Sequence, residues 1–363
     1  MSNNVAFLTL DWTRGIKPVE PNGCAYYRCY LPSLELEKYD WGVGVALPEY
    51  HPEHGFGAFL DQENIHFGWD IVVFKLIMLR SVADILDGPQ RPNQKIVVDV
   101  DDFYEGLQKT NLAYQNTDPE KYPDSNREHY WRIIDSADAI ITSTQFLYDF
   151  YTKEKGKTNV FLIRNGIDID RYHKKQDHSR FMPTVGWVGA IPWRSGDLET
   201  LQPFFGEFMK KNRLEFHHSG HIKEIPHTSG DLLGLYPETK FTHEPRRILS
   251  QYPQMFRKID IGLVPLNNIP FNHAKSTIKG LEYTAAGIPF IASYSPEYEY
   301  LENDGVGRVA RNEEEWLHHL NELLDPKIRK EDAERNYEIV KQKHSMSARA
   351  DDWNNVMQNI LDS

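Results

Sequence analysis

The chain reads as two doubly wound α/β domains in tandem, and three observations point there. Short apolar runs alternate with amphipathic stretches along most of its 363 residues, the pattern of strands joined by crossover helices. The runs are apolar throughout, which marks parallel strands covered on both faces. The pattern lapses once, over residues 170 to 182 (DRYHKKQDHSRFM), and then restarts. A chain of this length exceeds one typical core and suits two.

In the first half, Val5 to Leu10 predicts a buried first strand. A polar loop with Gly15, Pro18 and Pro21 follows and ends at Asn22-Gly23. Cys24 to Leu36 then predicts a helix with Pro32 as an internal irregularity. A strand, a glycine-bearing loop and a helix form the unit that places backbone N–H groups at the carboxyl edge of a sheet. No GxGxxG is present, so a dinucleotide fingerprint is not supported. Arg28, with Tyr26 and Tyr27, is a candidate to face a cleft; a helix-surface charge fits it equally. Further strands are expected at 42–47, 70–74, 95–100, 139–142 and 159–163, and helices at 78–86, 125–135 and 144–151. Residues 48–68 read as a long loop or short helix.

In the second half, strands are expected at 184–188, 214–217, 259–264, 290–292 and 307–310. Helices are expected at 197–211, 246–256, 313–324 and 330–344, and an amphipathic helix at 346–361 closes the chain with Trp353, Val356 and Ile360 on one side.

The most informative stretch is Phe271 to Ser293, FNHAKSTIKGLEYTAAGIPFIAS. Lys275, Ser276 and Thr277 lie where a helix begins, and Gly287 and Pro289 stop it. A helix N-terminus offers unpaired N–H groups and the positive end of the dipole, which suits phosphate. Lys275 and Lys279 are four apart, with Glu282 three beyond, so two cations and a carboxylate share roughly one face. Cations for phosphate and a carboxylate for ribose hydroxyls would suit a nucleoside diphosphate. An ordinary surface helix with charge pairs fits the same spacing.

Composition narrows the classes. Hydrophobic residues at 40% and charged residues at 26% are normal for a globular protein. A net charge of −12 disfavours a wholly basic nucleic-acid or membrane-surface protein. No apolar run approaches ~18 residues, the length of a membrane-spanning helix. The start, MSNNVAFLTLDW, lacks the basic and apolar regions of a secretory signal. Cys24 and Cys29, the only cysteines, form no metal or disulfide framework, and a cytoplasmic location is expected. Asp99-Val100-Asp101 spells DxD, a metal-binding signature, but Asp101 or Asp102 lining a cleft or capping the next segment is the reading adopted. His217, His218 and His221 form HHxxH without a carboxylate or cysteine partner, so no metal site is expected. Lys210-Lys211, Arg213 and Arg246-Arg247 are short basic patches of the kind that are usually solvated.

The chain resembles the GT-B glycosyltransferases, in particular the large retaining group that uses sugar nucleotides. NGCAYYR, IVVDVDDFYEG, SADAIITSTQFLYDFY and VFLIRNGID carry the likeness in the first half. TVGWVGAIPWRSGDLETL, IDIGLVPL and the 271–293 stretch carry it in the second. The resemblance implies two Rossmann-like domains facing across a cleft. They would be an acceptor-side domain over 1–175, joined by the final helix 346–363, and a donor-nucleotide domain over 180–345. It also implies that Lys275, Ser276, Thr277 and Lys279 hold the pyrophosphate, that Glu282 bonds the ribose, that Arg194 reaches the phosphates and that Gly23 lets the first domain close on the donor. One departure stands out: many retaining members carry a glutamate eight residues before Glu282, where this chain has Ala274.

The expected reaction is hexosyl transfer from a UDP- or GDP-linked sugar to a hydroxyl on a glycan, a protein or a hydroxymethylated DNA base, with retention. No metal and no cofactor beyond the donor is expected. Asp101, Asp102 and Arg28 are the candidates around the reacting centre, with no catalytic base assigned. A sugar-nucleotide 2-epimerase on the same fold and a non-catalytic sugar-nucleotide or glycan-binding protein are the alternatives.

Overall fold

The computed structural model describes all residues except 1–2, 14–18, 46–49, 52–54, 57–67, 89–92, 110 and 195. The loop expected at 48–68 therefore lies mostly outside the described residues. The chain divides into two compact units. The first comprises Met1–Lys109, Ala113–Gly166 and Met346–Ser363; the second comprises Ile167–Ser345 with Thr110–Leu112.

The first unit is built on a six-stranded sheet of β1 (Asn4–Thr9), β2 (Gly42–Val45), β3 (Ile71–Lys75), β4 (Lys95–Val100), β5 (Ala139–Thr142) and β6 (Val160–Leu162). The order is β2-β1-β3-β4-β5-β6 and every pairing is parallel. Val72, Val73, Val97, Val98 and Ile141 are fully buried, as strands covered on both faces require. After β1 a helical segment runs through Gly23–Ala25, a π-helical turn at Tyr26–Tyr30, and α1 (Leu31–Glu37). Pro32 has no N–H to offer the Arg28 carbonyl, and the turn before it is the widened one. The final helix packs in this unit, with Trp353 edge-on to Phe7 at 6.1 Å. The Trp41 indole there donates to Asn354 Oδ1 at 3.0 Å.

The second sheet contains β7 (Thr184–Val188), β8 (Glu215–His221), β9 (Phe241–Pro245), β10 (Ile261–Val264), β11 (Phe290–Ser293) and β12 (Arg308–Ala310). Its order is β9-β8-β7-β10-β11-β12, again all parallel. Two helices carry the later argument: α2 (Phe204–Asn212) follows β7, and α3 (Ile278–Ala285) links β10 to β11. Phe205, Phe216, Leu263, Ile291 and Trp316 pack into one core.

Several expectations are corrected. The helix expected over 197–211 is a 3₁₀ turn at Leu198–Leu201 followed by α2, because Pro203 cannot donate across the junction. Arg246 to Phe256 contains a 3₁₀ segment, Leu249–Phe256, with Pro253 inside it. The polar stretch 170–182 belongs to the second unit and is not a loose linker. Lys175 is ion-paired to Asp260, its N–H bonds Ala286 O at 2.9 Å, and Arg329 donates to His178 O at 3.0 Å. Elements without an apolar run escaped the sequence pattern, among them the edge strand β9 (FTHEP) and a helix at Pro296–Asn303 capped by Ser295.

Candidate active site

In the second sheet the strand order reverses between β7 and β10. Loops leaving the carboxyl ends of such neighbours diverge to opposite faces and open a crevice. Here they are the segments 189–197 and 265–277. Gly196, at φ 81°, shows how close they come: a Cβ there would lie 2.6 Å from Asn267 Nδ2. Asp197, 2% exposed, ties them together. Its Oδ1 accepts from Asn267 N at 2.9 Å and from Asn272 Nδ2 at 2.7 Å, and Arg194 Nη1 lies 3.9 Å from its Oδ2. Burial pushes the Asp197 carboxyl above its ordinary pKa, opposed by the Arg194 charge, these hydrogen bonds and the Lys275 charge. Arg194 and Lys275 therefore both act on one buried carboxylate at the switch point.

Lys275, Ser276 and Thr277 precede α3. Lys275 Nζ stands 4.1 Å from the Phe271 ring centroid. Thr277 is the N-cap residue but its side chain does not cap, and no acidic residue occupies the first turn. The positive end of this helix is thus not neutralised from within. Lys279 Nζ donates to Tyr252 Oη at 2.6 Å and to Glu282 Oε2 at 2.7 Å, and Tyr252 Oη donates to the same Oε2 at 3.0 Å. Burial pushes the Lys279 ammonium below its ordinary pKa, Glu282 opposes this, and Arg194 adds to it. Ala274 is 1% exposed. The helix is fixed from below by Tyr283, whose hydroxyl accepts from Val188 N at 3.0 Å. A Cβ on Gly262 would meet the Tyr283 ring at 2.6 Å, so β10 needs glycine there.

The first unit places its candidates differently. Arg28 does not face open space: it is 1% exposed. Its guanidinium bonds both oxygens of Asp99 (Nη2–Oδ2 2.6 Å), Ile163 O at 2.7 Å and Asn165 Oδ1 at 3.1 Å. Such bidentate pairing is what makes a buried charge tolerable. Lys75, also buried, is ion-paired to Asp101 and lies 3.7 Å from Asp99. Burial alone would lower the Lys75 pKa, and the two carboxylates reverse that and raise it. Burial likewise works against the Asp101 carboxylate, and Lys75 outweighs it, so Asp101 falls below its ordinary value. The DxD carboxylates are thus answered by protein cations. Asp102 is partly exposed. Gly23 opens the helical segment, with no heavy atom within 4 Å of where a Cβ would stand. Asp11, which the sequence reading missed, accepts from Ala25 N at 3.0 Å and Asn22 Nδ2 at 3.1 Å. An aspartate directly after a buried strand was the available signal.

The histidines of HHxxH serve β8. Ser219 Oγ donates to Met255 O at 2.8 Å, so His217 Nε2, 3.1 Å away, donates to Ser219, and His217 Nδ1 accepts from Thr242 at 2.8 Å. His218 Nε2 donates to Gly189 O at 3.0 Å. Burial pushes the His218 pKa down to about 4. Among the described residues, the histidine–carboxylate group close enough to share an ion is His318, His319 and Glu322, and Arg308 already pairs with Glu322 there.

Comparison with known proteins now adds to this geometry. Residues 204–355 match a family model described as "Glycosyl transferase-like". The glycosyltransferase TuaH of Bacillus subtilis, whose name assigns it provisionally to teichuronic acid biosynthesis, is 25% identical over 191 residues. That alignment covers 48% of this chain and about half, 47%, of the relative. Among solved structures, Anabaena HepE in complex with UDP-glucose superposes with a TM-score of 0.63 at 14% identity, covering 98% of this chain and 99% of HepE. The catalytic domain of Arabidopsis thaliana starch synthase IV, bound to ADP and acarbose, gives 0.64 at 12% identity with full coverage of both chains. WaaG, a glycosyltransferase involved in lipopolysaccharide biosynthesis, gives 0.59 at 15% identity, covering 97% of this chain and 99% of WaaG.

The fold is that of these GT-B structures, and residues 204–355 are similar to the glycosyl transferase-like family.

Proposed function

We propose that this protein is a glycosyltransferase that transfers a hexosyl unit from a nucleoside-diphosphate sugar, with UDP as the preferred carrier, to a hydroxyl of a glycan, with retention and without a metal ion. The observation that carries the reading is the switch point of the second sheet, where Asp197 ties the loop of Arg194 to Asn267 and Asn272 in the loop that leads through Lys275 into α3. The UDP-glucose complex of HepE supports the carrier, and the names of TuaH and WaaG support a glycan acceptor.

In this reading the second unit holds the donor. Lys275, Arg194, Ser276, Thr277 and the N-terminus of α3 receive the diphosphate, with Lys279 completing the cationic wall. Glu282 takes the ribose hydroxyls. As the bond from the anomeric carbon to the diphosphate oxygen lengthens, negative charge builds on the diphosphate. Cations already positioned in a low-dielectric site stabilise that charge without reorganising. The acceptor hydroxyl attacks from the face the diphosphate leaves, and its proton passes to the departing phosphate oxygen, so no protein nucleophile is invoked. Asp101, Asp102 and Gly23 stand on the acceptor side of this scheme, while Arg28 holds Asp99 in place.

The test is incubation with a panel of UDP- and GDP-sugars with and without oligosaccharide acceptors. Release of nucleoside diphosphate, accelerated by acceptor, is expected. Conversion of the donor with no diphosphate release would instead identify a 2-epimerase. Binding with neither reaction would identify a binding protein, the alternative that Ala274 leaves open. Lys275→Ala should weaken UDP binding by about tenfold to a hundredfold, the loss of one charge-assisted contact of ~1.5–3 kcal/mol. Unchanged affinity in calorimetry would sink the assignment of this lysine.

A further inference from the structure

Glu282 lies on α3 and is 3% exposed. Its most distant partner in the chain is Tyr252, from the 3₁₀ segment Leu249–Phe256, thirty residues earlier. Tyr252 Oη donates to Glu282 Oε2 at 3.0 Å and accepts from Lys279 Nζ at 2.6 Å, while Lys279 Nζ reaches the same Oε2 at 2.7 Å. The three groups close a triangle in which the phenol accepts from the ammonium and donates to the carboxylate. Burial, and then the Glu282 charge, push the Tyr252 hydroxyl well above its ordinary pKa, so it keeps the proton it donates.

A lysine and a glutamate three apart on a helix are both long, and their pairing alone fixes neither chain. The phenol adds a rigid corner. Its ring stands edge-on to Phe256 at 5.7 Å, and Phe256, 1% exposed, packs edge-on to Tyr283 at 5.3 Å and to Tyr172 at 5.6 Å. Arg171 donates to Leu249 O, at the start of the same 3₁₀ segment. Tyr252 therefore reaches Glu282 from a braced aromatic stack. The last torsion of a glutamate is soft, and two donors on one oxygen pin it. A site built to bond a hydroxyl rejects the analogue lacking it, and needs its acceptor held to do so.

We infer that Tyr252 is a positioning residue for Glu282, and that the two together set the class of nucleotide accepted: ribonucleoside diphosphates over 2′-deoxyribonucleoside diphosphates. The inference rests on the reading of Glu282 as the ribose contact. A ligand without the 2′-hydroxyl brings one donor fewer to a buried carboxylate, where an unanswered acceptor is costly.

Calorimetry with UDP, 2′-deoxy-UDP and inorganic pyrophosphate tests it. The wild-type protein should bind UDP about tenfold to a hundredfold more tightly than 2′-deoxy-UDP. Tyr252→Phe keeps the ring and its packing, and circular dichroism with a urea midpoint confirms the fold. In that variant the preference should shrink by about fivefold or more through weaker UDP binding, while pyrophosphate affinity stays at the wild-type value. A loss shared equally by UDP and 2′-deoxy-UDP would show that Tyr252 only supports the site, and it overturns the inference, as does an unchanged preference. In a Glu282→Gln background, Tyr252→Phe should change the preference no further; additive losses would break the link between the two residues. A wild-type protein that binds neither UDP nor pyrophosphate overturns the donor reading and this inference with it. Equal binding of UDP and 2′-deoxy-UDP by the wild type overturns this inference alone.

Discussion

Lys279 illustrates how burial changes a residue that looks simple in sequence. A surface Lys–Glu pair three apart contributes a few tenths of a kcal/mol. Here the pair is enclosed with Tyr252, so its hydrogen bonds are short and its charges strengthen each other. His218 is the counter-example, a titratable group kept neutral. Its folded pKa of about 4 lies below the ordinary 6.5, so between those values the unfolded chain binds the proton and the folded one does not. Stability therefore falls as pH drops through 6.5 and goes on falling until about 4. The full effect is on the order of 3 kcal/mol. His218→Gln should flatten this part of the pH–stability curve. Urea titrations at pH 7 and pH 5 check it, and an unchanged slope would show that another group is responsible.

At the scale of the element, α3 is held by contacts that its own sequence does not announce. Tyr283 reaches under β7 and β10, its hydroxyl accepting from Val188 N and lying 3.3 Å from Gly186 O. Tyr283→Phe strands the buried Val188 N–H, and a destabilisation of about 1–3 kcal/mol is expected, read as a lower urea midpoint with an unchanged m-value. The same elements show where sequence reading succeeded. β4 (KIVVDV), β5 (AIIT) and β7 (TVGWV) were predicted with their observed bounds because buried parallel strands are uninterrupted apolar runs. β9 was missed because an edge strand needs no such run, and the segment after Asp197 was misread because helical periodicity passes over the break at Pro203.

For the molecule as a whole, the return of the final helix to the first unit ties the two ends of the chain into one core. Trp353 is 1% exposed between Phe7 and the Arg28 guanidinium, 4.9 Å from its ring. Trp353→Ala should cost about 3–5 kcal/mol, the usual loss for a buried tryptophan, and lower the thermal midpoint. A midpoint within a degree of wild type would mean the helix is not integral to that core. The two sheets also divide the chemistry. Arg28 with Asp99 and Lys75 with Asp101 are internal pairs of the first unit, while Arg194 and Lys275 act on Asp197 at the carboxyl edge of the second sheet.

The sequence by itself determined the fold class, most strands, the phosphate-suited helix start and the local spacing of Lys275, Lys279 and Glu282. These follow from periodicity and from neighbours within four residues. The tertiary structure alone decided which distant residues join them. Asp197, Asn267 and Asn272 meet only because β7 and β10 are adjacent, and Tyr252 reaches Glu282 from thirty residues away. It also decided that Arg28 is an internal anchor. A carboxylate or guanidinium looks the same in sequence whether it meets water or a partner, and only packing fixes which of the two it meets.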